Sequence, residues 1–357
     1  MDEIRTLHQT ESEVQTSTHE DDFLHAGEWS LDPADSCESI ASEELLQALR
    51  RYPSSTCKQL QKKIAAANNV KERNVIVGRG VLELFELVLH TVRPKDTMIV
   101  EPTFSSFKNI LQMNHMRARS FFIRDVGYRV VTDELLDVCS EKVDFLVLAN
   151  PNWPTGQRID REVFLKFLAQ VHLKRIFVVI DESFIDWERD GSVVSDLRED
   201  SHFIILRSFR SFYGLAGAQV AYAIAPRRLI ERVQDRQVSW SVSAVGEKLA
   251  EKKIADTAWA KKRQNVFGQE IDKVNTLLAG LRNVEFWPTT APFFMIEVKE
   301  GDPEVYCSRL RSRGIRARRC GDISGLTDRF IAVELGSSEL NDMAMHIICE
   351  LDGLAVS

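Results

Sequence analysis

The sequence predicts an α/β fold, and two features carry that expectation. Short apolar, β-branched runs recur at 75–77, 97–100, 143–148, 177–180, 203–206 and 220–224, separated by stretches with helical spacing. From about residue 244 the pattern turns to long, charged helix and then to a second, shorter set of strands and helices. A large layer followed by a smaller C-terminal α/β layer is the architecture these features describe.

In chain order, residues 1–24 are polar, without a sustained period, and acidic at His19–Asp22, so a flexible arm is expected there. Residues 42–50 carry early acids and helically spaced leucines; 60–68 form a further helix. Gly78-Arg79-Gly80 lies between the strand at 75–77 and a helix, where backbone N–H groups can receive an anion. The strand at 177–180 ends on Asp181, a common position for an aspartate in any α/β protein. The helical stretch beyond 244 is expected to break once, and strands at 284–287, 293–298 and 329–334 alternate with helices at 303–313 and 338–351. Expected boundaries are 1–24 (arm), 25–60 (a segment contributing to an interface and to the small domain), 61–245 (large domain) and 246–357 (interdomain helix and small domain).

Composition bounds the function. Of 357 residues, 44% are hydrophobic and 28% charged, the profile of a soluble globular protein. With 46 basic against 53 acidic residues the net charge is −7, which argues against a nucleic-acid partner. Cys37, Cys57, Cys139, Cys307, Cys320 and Cys349 are scattered, without CxxC or metal spacing, so free thiols and no metal site are expected. No signal peptide and no apolar run of membrane length is present, and a cytoplasmic protein is expected.

The segment at 203–225, FIILRSFRSFYGLAGAQVAYAIA, is the centre of the functional reading. It resembles the cofactor-anchoring segment of fold-type-I pyridoxal-phosphate (PLP) enzymes, most closely the branch of histidinol-phosphate aminotransferase and threonine-phosphate decarboxylase. Further motifs occur in family order: His25-Ala26-Gly27, Tyr52-Pro53, Gly78 to Leu84, Pro102 to Phe107, Asn150 to Gly156, Asp181 to Phe184, Pro288 to Phe293 and Phe330 to Asn341. The resemblance runs from about residue 25 to the C-terminus and implies a mixed, mostly parallel sheet in the large domain, a small C-terminal α/β domain and a dimer.

Laid on this sequence, the resemblance puts Ser211 at the Schiff-base lysine and Gln219 at the phosphate arginine. Val81 and Leu82 stand where small hydroxylated residues would meet the phosphate, and Ser208 is part of the same pocket. Trp153 stands where an asparagine, and Phe184 where a tyrosine, would touch the cofactor's phenolic oxygen. Asp181 keeps the place of the pyridine partner, and Phe107 the place of the ring-stacking aromatic. Tyr52 keeps the place of a residue reaching into the neighbouring subunit. Ala332 replaces the arginine that holds the substrate carboxylate, Pro292 replaces a small-domain asparagine, and residues 29–37 lack the asparagines and glycine of the family's mouth loop. Without a family, Tyr52 reads as an aromatic at a helix end before proline, and Phe107 as core.

A serine cannot form an imine, and a guanidinium such as Arg210 stays protonated. The expectation is therefore a protein without cofactor, its former slot filled by the apolar bulk of Trp153, Phe184, Phe107, Val81 and Leu82, with Asp181 at the base. Three functions follow. The first is a non-catalytic paralogue, as a homodimer or as the silent partner of an intact aminotransferase-like chain. The alternative is a PLP-independent enzyme with a refitted cleft, drawing on Asp181, Ser208, Arg210, Ser211, Tyr52 and Arg318, which would take a small-molecule ligand. The third is a PLP enzyme whose lysine is displaced.

Overall fold

A computed structural model describes residues 42–125, 127–139 and 142–353. The expected arm, the motif at His25-Ala26-Gly27, the mouth loop at 29–37 and Cys37 lie outside them.

The first sheet is built from β1 (Val75–Gly78), β2 (Thr97–Glu101), β3 (Ala118–Phe122), β4 (Phe145–Ala149), β5 (Phe177–Asp181), β6 (Phe203–Ser208) and β7 (Ala221–Ile224). Their spatial order is β1-β7-β6-β5-β4-β2-β3. Pairing is parallel from β6 through β3, and β7 runs antiparallel to both β1 and β6. The chain returns from β6 to β7 without a crossover helix, and so short a return requires the opposite direction.

Apart from the edge strand β3, whose residues are mostly half-buried or exposed, both faces of this sheet are buried, which is why its other strands read as continuous apolar runs rather than alternating ones. Successive side chains divide between two cores: Val178, Ile180 and Ile205 on one side, Val179, Ile204 and Leu206 on the other. Helix α3 (Gly80–Val92) lays Leu84, Phe85, Val88 and Leu89 onto the second face, joined by α4 (Ser106–Met113). The first face receives Leu60 and Ile64 of α2 (Lys58–Ala67) and Phe164, Phe167 and Val171 of α6 (Arg161–Leu173).

Beyond the sheet, the charged stretch forms α8 (Ala244–Ala255) and α9 (Thr257–Leu278), broken at Asp256, whose carboxylate caps α9 by accepting from the N–H of Trp259. A second, antiparallel sheet follows in the order β10-β11-β9-β8, from β8 (Val284–Phe286), β9 (Phe293–Val298), β10 (Ala317–Arg319) and β11 (Phe330–Glu334). It is backed by α10 (Pro303–Arg311) and α11 (Ser338–Leu351). No described helix is long and apolar enough to cross a membrane. The described cysteines Cys57, Cys139, Cys307, Cys320 and Cys349 are buried free thiols.

One polar cluster is embedded beneath the ends of the central strands. Arg207 of β6, 1% exposed, donates from Nε and Nη2 to one carboxylate oxygen of Glu182 at 2.9 and 2.7 Å. It also donates to Asn68 Oδ1 at 2.7 Å and to Ser192 Oγ at 2.6 Å. Ser192 in turn donates to Glu182 at 2.9 Å. The cluster thereby joins β5, β6, the end of α2 and the loop after β5. Removing one partner of such a pair strands the other charge, at about 3–5 kcal/mol. We expect Arg207→Met to lower unfolding free energy in urea by about that amount, and Arg207→Met with Glu182→Leu to cost much less than the sum of the singles. Strict additivity would show that the pair is not a unit.

Candidate functional site

Two adjoining cavities open at the carboxyl ends of the parallel strands, where ligands of open α/β sheets bind. The inner one, about 270 Å³, is lined by the start of α3 (Arg79 to Leu82), Asp181, Ser183, Ser208, Arg210 and the 215–220 turn. The outer one, about 250 Å³, is lined among others by Thr103, Asn109, Trp153, Phe184, Arg318 and Asp322. Phe104, Ser106, Asp181 and Arg210 line both, so the two are compartments of one cleft. Its floor comes from the first sheet and part of its outer wall from the second.

Asp181 is the acid of the floor. It is the last residue of β5, 8% exposed, and accepts from the backbone N–H of Ser183 at 3.0 Å and from the Ser183 hydroxyl. Burial pushes its carboxyl above the ordinary range, against the pull of Ser183 and of the nearby Arg210 charge. It is therefore not stranded.

Arg210 is the cation that lines both compartments. Its backbone N–H donates to Ser208 Oγ at 3.0 Å, and its buried Nε has no hydrogen-bond partner. Burial lowers its pKa, with Asp181 and Glu334 opposing; a guanidinium remains charged at neutral pH regardless. Two further lining residues carry a buried polar atom without a partner, Thr103 Oγ1 and Trp153 Nε1.

Ser211 lines neither cavity. It is 1% exposed, and its hydroxyl accepts from Trp187 Nε1 at 3.0 Å. Trp187 is itself held by the Arg263 guanidinium 4.7 Å over its ring and by Phe212 at 5.1 Å. The sequence placed Ser211 in the pocket; the fold gives that place to Arg210.

Phe107 likewise leaves the ring-stacking place that the resemblance gives it and takes the core place it has without a family. Its ring is 1% exposed and packs edge-on against Phe85 at 4.9 Å, in the core beneath α3. Phe104, three residues earlier, is the aromatic of the cleft, with Trp153 edge-on at 6.3 Å. Both are aromatics of one Pro-Thr-Phe-x-x-Phe run, and nothing in the run says which ring turns inward.

Val81 and Leu82 line the inner cavity while also packing on the core. Trp153 and Phe184 are buried in the outer wall, Phe184 edge-on to Phe293 at 4.9 Å. These side chains do not fill the slot, which remains open and carries charged and hydroxylated groups; the apolar filling expected from the sequence is corrected. Gln219 adopts left-handed backbone (φ 51°) and turns its amide back onto the Ala216 carbonyl at 2.9 Å. Ala332 is buried in β11, and its cross-strand neighbour on β10 is Arg318. That arginine reaches the outer cavity, 5.8 Å over the Trp153 ring and paired with Asp322. Tyr52, 86% exposed, stands outside both cavities with its ring 5.6 Å from that of Trp240.

The model of the aminotransferase class I and II family matches residues 24–345. The chain belongs to that family. Threonine-phosphate decarboxylase of Salmonella typhimurium is 25% identical over 299 residues, covering 83% of this chain and 82% of the relative. The fold is that of histidinol-phosphate aminotransferase from Clostridium acetobutylicum, with a TM-score of 0.80 at 20% identity over 87% of this chain and 93% of the other. Histidinol-phosphate aminotransferase from Sinorhizobium meliloti, solved in complex with pyridoxal-5'-phosphate, aligns at a TM-score of 0.71 and 18% identity, over 89% of each chain.

These comparisons correct the expectation of a protein without cofactor, because the family is PLP-dependent and one structural neighbour is a PLP complex. The cleft residues fit such a group. Arg210, Thr103 and Trp153 offer donors that lack partners, suited to an acceptor-rich molecule. Asp181 is an acceptor shared by both compartments and Phe104 a ring beside it.

A carboxyl whose pKa is raised by folding holds its proton more tightly in the native state. Its burial therefore costs stability increasingly as pH climbs from about 4 through the native value. We expect Asp181→Asn, which keeps an acceptor for Ser183, to raise the thermal midpoint of ligand-free protein at neutral pH. The gain should vanish as pH falls to about 4. A gain independent of pH, or a loss at neutral pH, would contradict this assignment.

Proposed function

We propose that this chain is an aminotransferase-family protein that holds pyridoxal phosphate without a covalent bond and does not itself transaminate. The observation that carries the reading is the pairing of Ser211 with Trp187. The family's lysine position is a buried serine turned to an indole N–H, and no lysine lines either cavity among the described residues.

The residues divide the remaining work. Arg210, Ser208 and the first N–H groups of α3 suit the phosphate end. Asp181 suits a protonated ring nitrogen, and its raised pKa falls back when a cation pairs with it. Phe104 and Trp153 exclude water from the ring's surroundings. When bound, the cofactor supplies an electron-withdrawing pyridine ring and an aldehyde. Arg210 cannot act as the amine that the aldehyde would engage, since its guanidinium stays protonated.

A subunit role in a dimer accompanies this reading. Leu49, Tyr52, Val238 and Trp240 are all more than half exposed, with Tyr52 leaning on Trp240. Such apolar exposure suits cover by a second chain, either a copy of this one or an intact family member.

The decisive experiment is borohydride reduction of protein loaded with one equivalent of pyridoxal phosphate, followed by peptide mass spectrometry. The reading expects no stoichiometric pyridoxyl-lysine and release of the ligand on dialysis. A single lysine modified to completion would restore the displaced-lysine alternative.

A further inference from the structure

Arg210 enters the cleft where its neighbour Ser211 does not. It precedes the position read as the site's amine, yet its side chain lines both compartments while Ser211 turns to Trp187. We infer that Arg210 is the phosphate-anchoring residue of the inner cavity, taking over the charge that position 219 does not supply.

The surroundings favour a phosphate monoester over a simple counter-ion. The inner cavity is bounded by the first residues of α3, a helix of 13 residues, and Gly80 there adopts φ +84°. Ser106 and Ser208 add hydroxyls to the same wall, while the Ser183 hydroxyl is taken by Asp181. The one acid at the helix start, Glu83, is engaged by the backbone N–H of Arg79.

The independent sign of a missing ligand is Arg210 Nε, buried and without a hydrogen-bond partner. A buried donor left unmet is costly, and an anion with several acceptor oxygens relieves that cost at a guanidinium that is otherwise half-buried. Guanidinium, hydroxyls and helix N–H groups together match the oxygens of a phosphate. Gln219 cannot compete for the role. It is neutral, and its amide already donates to Ala216.

The inference rests on the non-covalent reading above. Covalent trapping would sink that reading yet leave the effect of Arg210 measurable, so the two fail separately. The test is equilibrium binding followed by calorimetry, with pyridoxal 5'-phosphate, pyridoxal and inorganic phosphate as probes. We expect pyridoxal phosphate to bind at least about tenfold more tightly than pyridoxal, and inorganic phosphate to compete with it. That margin is what a charge-assisted hydrogen bond supplies. Arg210→Met should erase the difference between pyridoxal phosphate and pyridoxal, while Arg210→Lys, which retains a charge, should keep part of it. Gln219→Arg added to Arg210→Met should recover binding if the cavity wants a cation there. Circular dichroism and thermal midpoints establish that each variant is folded. Equal affinity for pyridoxal and its phosphate in the wild type would overturn the assignment. So would unchanged phosphate binding in Arg210→Met, or a loss that follows Arg79→Met instead.

Discussion

The buried contact between Arg207 and Glu182 decides where everything in the cleft can be. Each belongs to the end of a central strand, and each is next in sequence to a cleft residue: Glu182 follows Asp181, and Arg207 precedes Ser208. Neighbours along an extended chain face opposite ways. Once the ion pair is drawn under the sheet by Asn68 and Ser192, Asp181 and Ser208 are turned to the other side and into the cavity. The pair stands within the family's own motif segments, but its role is architectural: it fixes the direction of the two residues that do face a ligand.

A second constraint acts one turn further along. After Ser208 the chain must reverse into β7, and the turn is set by Ser208 Oγ receiving the Arg210 N–H and by Ser211 receiving Trp187. Trp187 lies 24 positions earlier in the chain and is itself gripped by Arg263 from α9. A contact between such distant positions chooses which of two adjacent side chains enters the cleft. It chooses the guanidinium.

Much of this was legible in the sequence, and the failures have physical causes. Six strands of the first sheet announce themselves because they are buried on both faces, and Asp181 follows from the end of one; the edge strand β3, mostly half-buried or exposed, is missing from the sequence reading. One break in the charged helical stretch was expected without a position; it falls at Asp256, whose carboxylate caps the following helix. By contrast, β10 escaped notice because its three residues, Ala317 to Arg319, are mostly charged and paired on one side only. Of the two places open to Phe107, core is the one it takes; Phe104, just ahead of the same helix, is the ring in the cleft, and only the helix's docking on the sheet separates the two. The expectation of an emptied site failed for a different reason. Comparing positions one at a time records each lost polar contact, as at Gln219 and Ala332. The same sequence offered Arg210 and Arg318 as groups of a refitted cleft, and both do line it, Arg210 from the turn and Arg318 from across Ala332; their charge was not weighed against those losses.

The cleft stays open and carries an acid and cationic side chains, with no lysine among the described residues that line it. The central claim is that the cofactor's phosphate and ring, and not its aldehyde, carry the binding. The most direct measurement compares the affinity of pyridoxal 5'-phosphate with that of 4'-deoxypyridoxine 5'-phosphate, which has a methyl group in place of the aldehyde. The account predicts dissociation constants within a few-fold of each other. An affinity for the aldehyde form greater by a hundredfold or more, about 2.7 kcal/mol, would mean a covalent bond is made and would contradict it.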